Sequence, residues 1–142
     1  METSIIKSLF RWFADCDVLE VDNDLNVDYL GEDPEQYSIE VVPCKTVLKQ
    51  YIDGSAKCQY LFIFASRENY SPDESINIAN LEFYERLEEW IAEQDLNGKL
   101  PEGLTPLSVK VLSSGYAIDN DTKSARYQIQ CQLKYMKNGG KK

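Results

Sequence analysis

From Arg126 to Tyr135 the chain alternates without a break. Tyr127, Ile129, Cys131, Leu133 and Tyr135 fall on one side, and Arg126, Gln128, Gln130, Gln132 and Lys134 on the other. A period of two places successive side chains on opposite faces of a strand, so this stretch is a strand with one apolar face. It commits the chain to a sheet with something packed on that face. The glutamine row on the other face has two readings. It is either the solvated side of an edge strand or a flat, uncharged hydrogen-bonding surface set against another protein.

The rest of the pattern supplies partners for that strand. Leu25, Val27 and Tyr29 alternate with Asn26 and Asp28, and Tyr37, Ile39 and Val41 with Ser38 and Glu40. Pro43 restricts the second of these strands to an edge or an end. Gly31-Glu32-Asp33-Pro34 between them reads as a turn. Val47–Ile52 and Lys57–Ala65 flank Asp53-Gly54-Ser55, a hairpin signal, because Asp-Gly readily adopts the positive φ that tight turns need. In the second arm Tyr60, Phe62 and Phe64 share one face while Leu61 and Ile63 share the other. A strand apolar on both faces is expected at the centre of the sheet, covered on both sides, with another subunit as one source of the second cover. Val109 and Val111 mark a strand over Leu107–Leu112, and Asp119-Asn120-Asp121 marks the turn into the last one.

Two helices complete the pattern. Thr3–Phe13 places Ile5, Leu9 and Trp12 at helical spacing, with Thr3 or Ser4 as cap. Ser71-Pro72-Asp73-Glu74 is a capping box with proline at the first helical position. Ile76, Ala79, Phe83, Leu87, Trp90 and Ile91 then form an apolar stripe, with Glu82, Glu85, Glu88, Glu89 and Glu93 on the wet side, and Asn97-Gly98 and Pro101 end the helix. The expected fold is α+β: a mainly antiparallel sheet of about five to six strands packed with an N-terminal helix and one long central helix. The 142 residues suit one domain over 1–137, followed by a disordered basic tail over 138–142.

Composition excludes more than it assigns. The 43% hydrophobic and 27% charged content is that of a globular protein, not of a collagen-like, disulfide-scaffold or wholly disordered chain. No apolar run approaches the ~18 residues of a membrane span, and Lys7 and Arg11 interrupt the N-terminal apolar residues, so no signal peptide and no membrane partner are expected. Residues 1–40 hold 11 acids against 2 bases, whereas the remainder is balanced. Such a field repels nucleic acid, and no sequence-specific nucleic-acid partner is expected. The four cysteines, Cys16, Cys44, Cys58 and Cys131, lack the close spacing of a zinc site and read as reduced, buried thiols in a cytosolic protein.

Catalytic and metal motifs fail on particular residues. There is no histidine to serve as base, nucleophile or ligand. Asp22, Asp24, Asn26 and Asp28 alternate as in a calcium loop. However, Val27 stands where glycine is required and Asp33 where a bidentate glutamate is usual. Ser4-Ile5-Ile6-Lys7 matches the serine-x-x-lysine of penicillin-recognising enzymes without its companion motifs. Phosphate-binding glycine loops are missing. No catalytic residue, metal or cofactor is expected.

Several runs, taken in order, resemble a known family. They are Val47-Leu48-Lys49-Gln50-Tyr51-Ile52-Asp53-Gly54-Ser55, Gln59-Tyr60-Leu61-Phe62-Ile63-Phe64-Ala65-Ser66-Arg67, the helix from Asn80 through Trp90-Ile91, Ser113-Ser114-Gly115-Tyr116, and Ala125-Arg126-Tyr127-Gln128-Ile129-Gln130-Cys131. Together they are similar to the minor capsid or tail terminator (tail completion) proteins of tailed phages and prophages of Gram-positive bacteria, over about residues 5–137. The resemblance implies a non-enzymatic virion protein with an α+β subunit. Such proteins form a ring, usually of six copies, that caps the tail tube and joins it to the head-side connector. Its implied partners are other copies of itself, the tail tube protein and the head–tail connector, and its implied location is the virion, with the host cytoplasm during assembly. The alternatives are a minor capsid or head–tail joining role, a host-directed protein-binding module, or a small enzyme with an unrecognised carboxylate site. Some relatives carry a chloramphenicol-resistance label, but an acetyltransferase of that kind needs a histidine base, which this chain lacks. The family supplies no catalytic motif. From pattern alone, the candidate subunit or partner interfaces are the hairpin at Asp53-Gly54, the Arg67–Ser71 loop with Arg67 and Tyr70, and the row Gln128, Gln130 and Gln132. A ring built head to tail needs two different patches on each subunit.

Overall fold

A computed structural model describes residues 4–19, 24–27, 36–69, 74–120 and 124–138. In chain order the elements are α1 (Ile5–Ala14), β1 (Asp24–Val27), β2 (Gln36–Val42), β3 (Val47–Gln50), β4 (Ala56–Asn69), α2 (Glu74–Leu96), β5 (Thr105–Asn120) and β6 (Ser124–Lys137). The six strands form one sheet in the order β1-β2-β4-β6-β5, with β3 taking up the rest of the β2 flank of β4. All pairings are antiparallel except β1 with β2, which is parallel. The fold is therefore α+β, with a mostly antiparallel six-stranded sheet and two helices.

The doubly apolar strand is central, as its pattern requires. β4 pairs along its full length with β6, from Ala56↔Lys137 to Asn69↔Ser124. On its other side it meets first β3 and then β2. β2 is an inner strand that stops at Val42, immediately before Pro43, so the proline ends the strand and does not mark an edge. β6 lies between β4 and β5, which excludes the edge-strand reading of its glutamine row.

Both helices pack on the face of Phe62, Phe64, Ile129 and Leu133. The α1 residue Phe13 sits with its ring centroid 5.1 Å from Phe64 and 6.0 Å from Phe62. Ser4 caps α1 by accepting from the Lys7 amide at 3.3 Å. The helix is then tied to the segment after α2 by two side-chain bonds. Trp12 Nε1 donates to the Lys99 carbonyl at 2.8 Å, and the buried Ser8 hydroxyl donates to the Glu102 carbonyl at 2.5 Å. Each bond satisfies a polar group that the apolar face would otherwise strand.

From α2, the residues Phe83, Leu87 and Ile91 enter the core, and Ala79 is exposed. Tyr84 is buried as deeply as Ile91, at 1% exposure. Its hydroxyl donates to the Tyr127 carbonyl at 3.1 Å and lies 2.6 Å from Ser66 Oγ. A phenol has one proton to give, so Ser66 is the donor in the second bond. Burial pushes the Tyr84 phenol well above its ordinary range, which keeps that proton in place. The helix ends at Leu96 with Gly98 in the left-handed region at φ +72° and the Lys99 amide bonded back to the Gln94 carbonyl at 2.9 Å. The expected capping box at Ser71-Pro72-Asp73 and the turn at residues 31–34 lie outside the described residues, as do Asp28, Tyr29 and the 139–142 end of the tail.

β5 differs most from expectation. It runs to Asn120, so Asp119 and Asn120 are strand residues and not a turn. Its register against β6 shifts at four places. Ser113-Ser114-Gly115 has no alternation to announce a strand. Pairing with the regular β6 holds it there, and bulges absorb the mismatch. One side chain expected on the wet face of α2 serves this distortion: Glu88 is half-buried, and its Oε2 accepts the Gly115 amide at 3.0 Å. Among the described residues no helix is long and apolar enough to cross a membrane.

Candidate functional site

With both helices on one side, the second face of the sheet carries no helix among the described residues. Pairing register assigns its side chains. Arg126, Gln128, Gln130 and Gln132 of β6 stand opposite Arg67, Ala65, Ile63 and Leu61 of β4. Ser38, Glu40 and Val42 of β2 stand opposite Ala65, Ile63 and Leu61. The face is thus a band of glutamine, serine and aliphatic side chains across three inner strands.

Two of its charges neutralise each other. The Arg126 guanidinium grips the Glu40 carboxylate with two bonds, Nη1 to Oε2 at 3.1 Å and Nη2 to Oε1 at 2.6 Å, and its Nε donates to Gln128 Oε1 at 3.1 Å. The fork geometry suits a carboxylate, and both partners are largely shielded from water, with side-chain exposures of 16% and 24%. Farther along, Gln132 Nε2 donates to Gln59 Oε1 at 2.7 Å. These bonds lay the long side chains flat along the sheet.

The sequence-predicted interface residues therefore separate into groups. Gln130 and Gln132 lie on the uncovered face, Gln130 exposed and Gln132 half-buried. Gln128 belongs to the same row but is 6% exposed and serves Arg126, so it acts as an internal support. Arg67 is not in a loop. It is a β4 residue on the same face, opposite Gln36 and Arg126. Tyr70 lies outside the described residues. Asp53 and Gly54 are elsewhere, at the hairpin tip. Glu40 and Gln59 complete the face and were not singled out from sequence. Their partners lie 86 and 73 residues away, and nothing local signals such a pairing.

The hairpin is a well-defined turn. Gly54 has φ +92°, the Gly54 amide donates to the Tyr51 carbonyl at 3.0 Å, and the Tyr51 amide donates to the Ser55 carbonyl at 2.9 Å. Asp53 Oδ1 accepts from Ser55 Oγ at 2.6 Å and from the Ser55 amide at 2.9 Å. The Ser55 hydroxyl and amide together hold the Asp53 carboxyl below the usual aspartate range. Every residue of β3 is exposed, and Ile52 at the tip is fully so.

All four cysteines are free thiols, and Cys16, Cys58 and Cys131 are buried. Burial pushes the Cys16 thiol up to about 11 and Cys131 higher still, far from the thiolate form a nucleophile needs. Among the described residues no group of three or more cysteine, aspartate or glutamate side chains is placed to hold a metal ion. Neither a scan of protein-family models nor a search of curated proteins finds a match to this chain.

Proposed function

We propose that this chain is a non-enzymatic virion structural protein, a tail terminator whose copies form a ring that caps the tail tube and joins it to the head-side connector. The observation that carries the reading is the face of the sheet around Leu61, Ile63, Gln130 and Gln132, helix-free among the described residues. Leu61 and Ile63 stand there beside Gln130 and Gln132, and farther along the strands Arg126 is paired with Glu40. Such a face suits burial against another protein, because the side chains at its middle are uncharged and the glutamine amides can bond across the contact. The family resemblance of the ordered runs from Val47 to Cys131 points to the same role.

Charge placed on this face tests it. Gln130→Lys puts an uncompensated charge on an exposed, outward side chain and leaves the helix side of the sheet intact. Supplied to a prophage whose own copy is disrupted, the variant is expected to fold normally but to lower the yield of infectious particles at least tenfold. A yield equal to that of the unaltered chain contradicts the use of this face in assembly.

A further inference from the structure

Apart from the open sheet face, the described surface holds two features that complement each other. One is an arm. The β3–β4 hairpin exposes Val47, Leu48, Tyr51 and Ile52 in a short segment, and β3 is an edge strand whose outer backbone groups are unpaired by any other described strand. Exposed apolar edge strands invite pairing with another chain unless they are covered. The other is a groove of about 1170 Å3 between α1 and the end of α2. Trp12, Trp90 and Leu100 give it an apolar floor, and all three are buried or half-buried.

Charge favours their union. The groove rim carries Asp15, Asp17 and Glu102 against Arg11 and Lys99, a net of one negative charge. The arm from Val47 to Lys57 carries Lys49 and Lys57 against Asp53, a net of one positive charge. None of the five rim charges forms an ion pair among the described residues, where the two close pairs are Lys110–Asp95 and Arg126–Glu40. The rim therefore keeps both signs available for a partner that also presents both.

We infer that the β3–β4 arm of one copy seats in the α1–α2 groove of the next, Ile52 lying over Trp12, Trp90 and Leu100. Arm and groove are different patches, so the contact is heterologous and repeats until a ring closes. This rests on the ring reading above and supplies its subunit junction.

Cross-linking in assembled particles tests it. A chain carrying Ile52→Cys and Ala14→Cys, with Cys44→Ser to remove the half-exposed native thiol, is supplied to the disrupted prophage. Purified particles are then treated with a short bismaleimide. Ile52 and Ala14 are both exposed, so the substitutions leave the core untouched. The expected result is a ladder from dimer up to the full ring, at least tenfold stronger than from either single-cysteine chain. Protein present in particles without a ladder overturns the arm–groove junction and leaves the virion role standing. An equal ladder from one single-cysteine chain also overturns it, because like residues would then meet. Absence of the unaltered chain from particles, probed in parallel, overturns both readings.

Discussion

Phe64→Ala is expected to cost about 3–5 kcal/mol, the range for removing a fully buried aromatic ring from a core that cannot close over the space. Phe64 has no exposed surface. Its ring centroid lies 5.1 Å from that of Phe13, 5.5 Å from Tyr37 and 6.4 Å from Tyr84, so one truncation withdraws contacts from α1, β2 and α2 together. Domains are stable by about 5–15 kcal/mol in total, so a loss of about 3–5 kcal/mol removes roughly a fifth or more of that reserve. In urea titration the midpoint should fall sharply with the slope unchanged. Ile52→Ser, at a fully exposed position, should leave the midpoint where it was. A Phe64→Ala midpoint within error of the parent would place the core elsewhere.

Gly115→Ala is expected to cost about 2–3 kcal/mol, near the top of the usual range for forcing one extra methyl into a packed site. A Cβ at residue 115 would lie 2.5 Å from Tyr84 Cβ and 2.6 Å from Tyr84 Cγ. Those atoms sit close to the helix backbone, and the far end of the ring is pinned by Ser66 and the Tyr127 carbonyl, so the tyrosine has no easy retreat. Tm should drop by roughly 4–10 °C. Tyr84→Phe should not relieve the clash, because it alters only the far end of the ring. In the Gly115→Ala background, Tyr84→Gly, which removes the Cβ as well as the ring, should cost less than it does alone. Equal costs in the two backgrounds would remove the steric account.

These two sites show where the sequence was readable. Phe64 lies in a run whose alternation announced a central strand, and the Asp53-Gly54 turn fixed where that strand begins. Period and turn chemistry are local properties, and they located β4, β6, the hairpin and the body of α2. Gly115 and Tyr84 lie in segments with weaker local signals. Tyr84 follows Phe83 on the helix and widens the buried face beyond a simple stripe. Its hydroxyl is acceptable in the core only because Ser66 and a β6 carbonyl meet it there. The bulged half of β5 has no alternation of its own, and its strand character comes from pairing with β6.

The same distinction applies to the candidate surfaces. The glutamine row was legible as one face of one strand, but its environment depends on neighbours distant in the chain. Gln128 is buried because Arg126 turns toward Glu40, whereas Gln130 two positions on stays open. The groove between α1 and the end of α2 is a product of tertiary packing alone. Trp12 and Trp90 were readable as apolar helix positions, and only the fold brings their rings to 4.8 Å.

The proposed terminator role is tested most directly on the tails themselves. Electron microscopy of particles released by the inducing prophage with this gene disrupted should show overlong or polymerised tail tubes beside unattached heads, with normal particles restored by the intact chain in trans. Tails of normal length with defective heads or connectors would contradict the terminator role and move the protein to the head side. Normal infectious particles would contradict a structural role altogether.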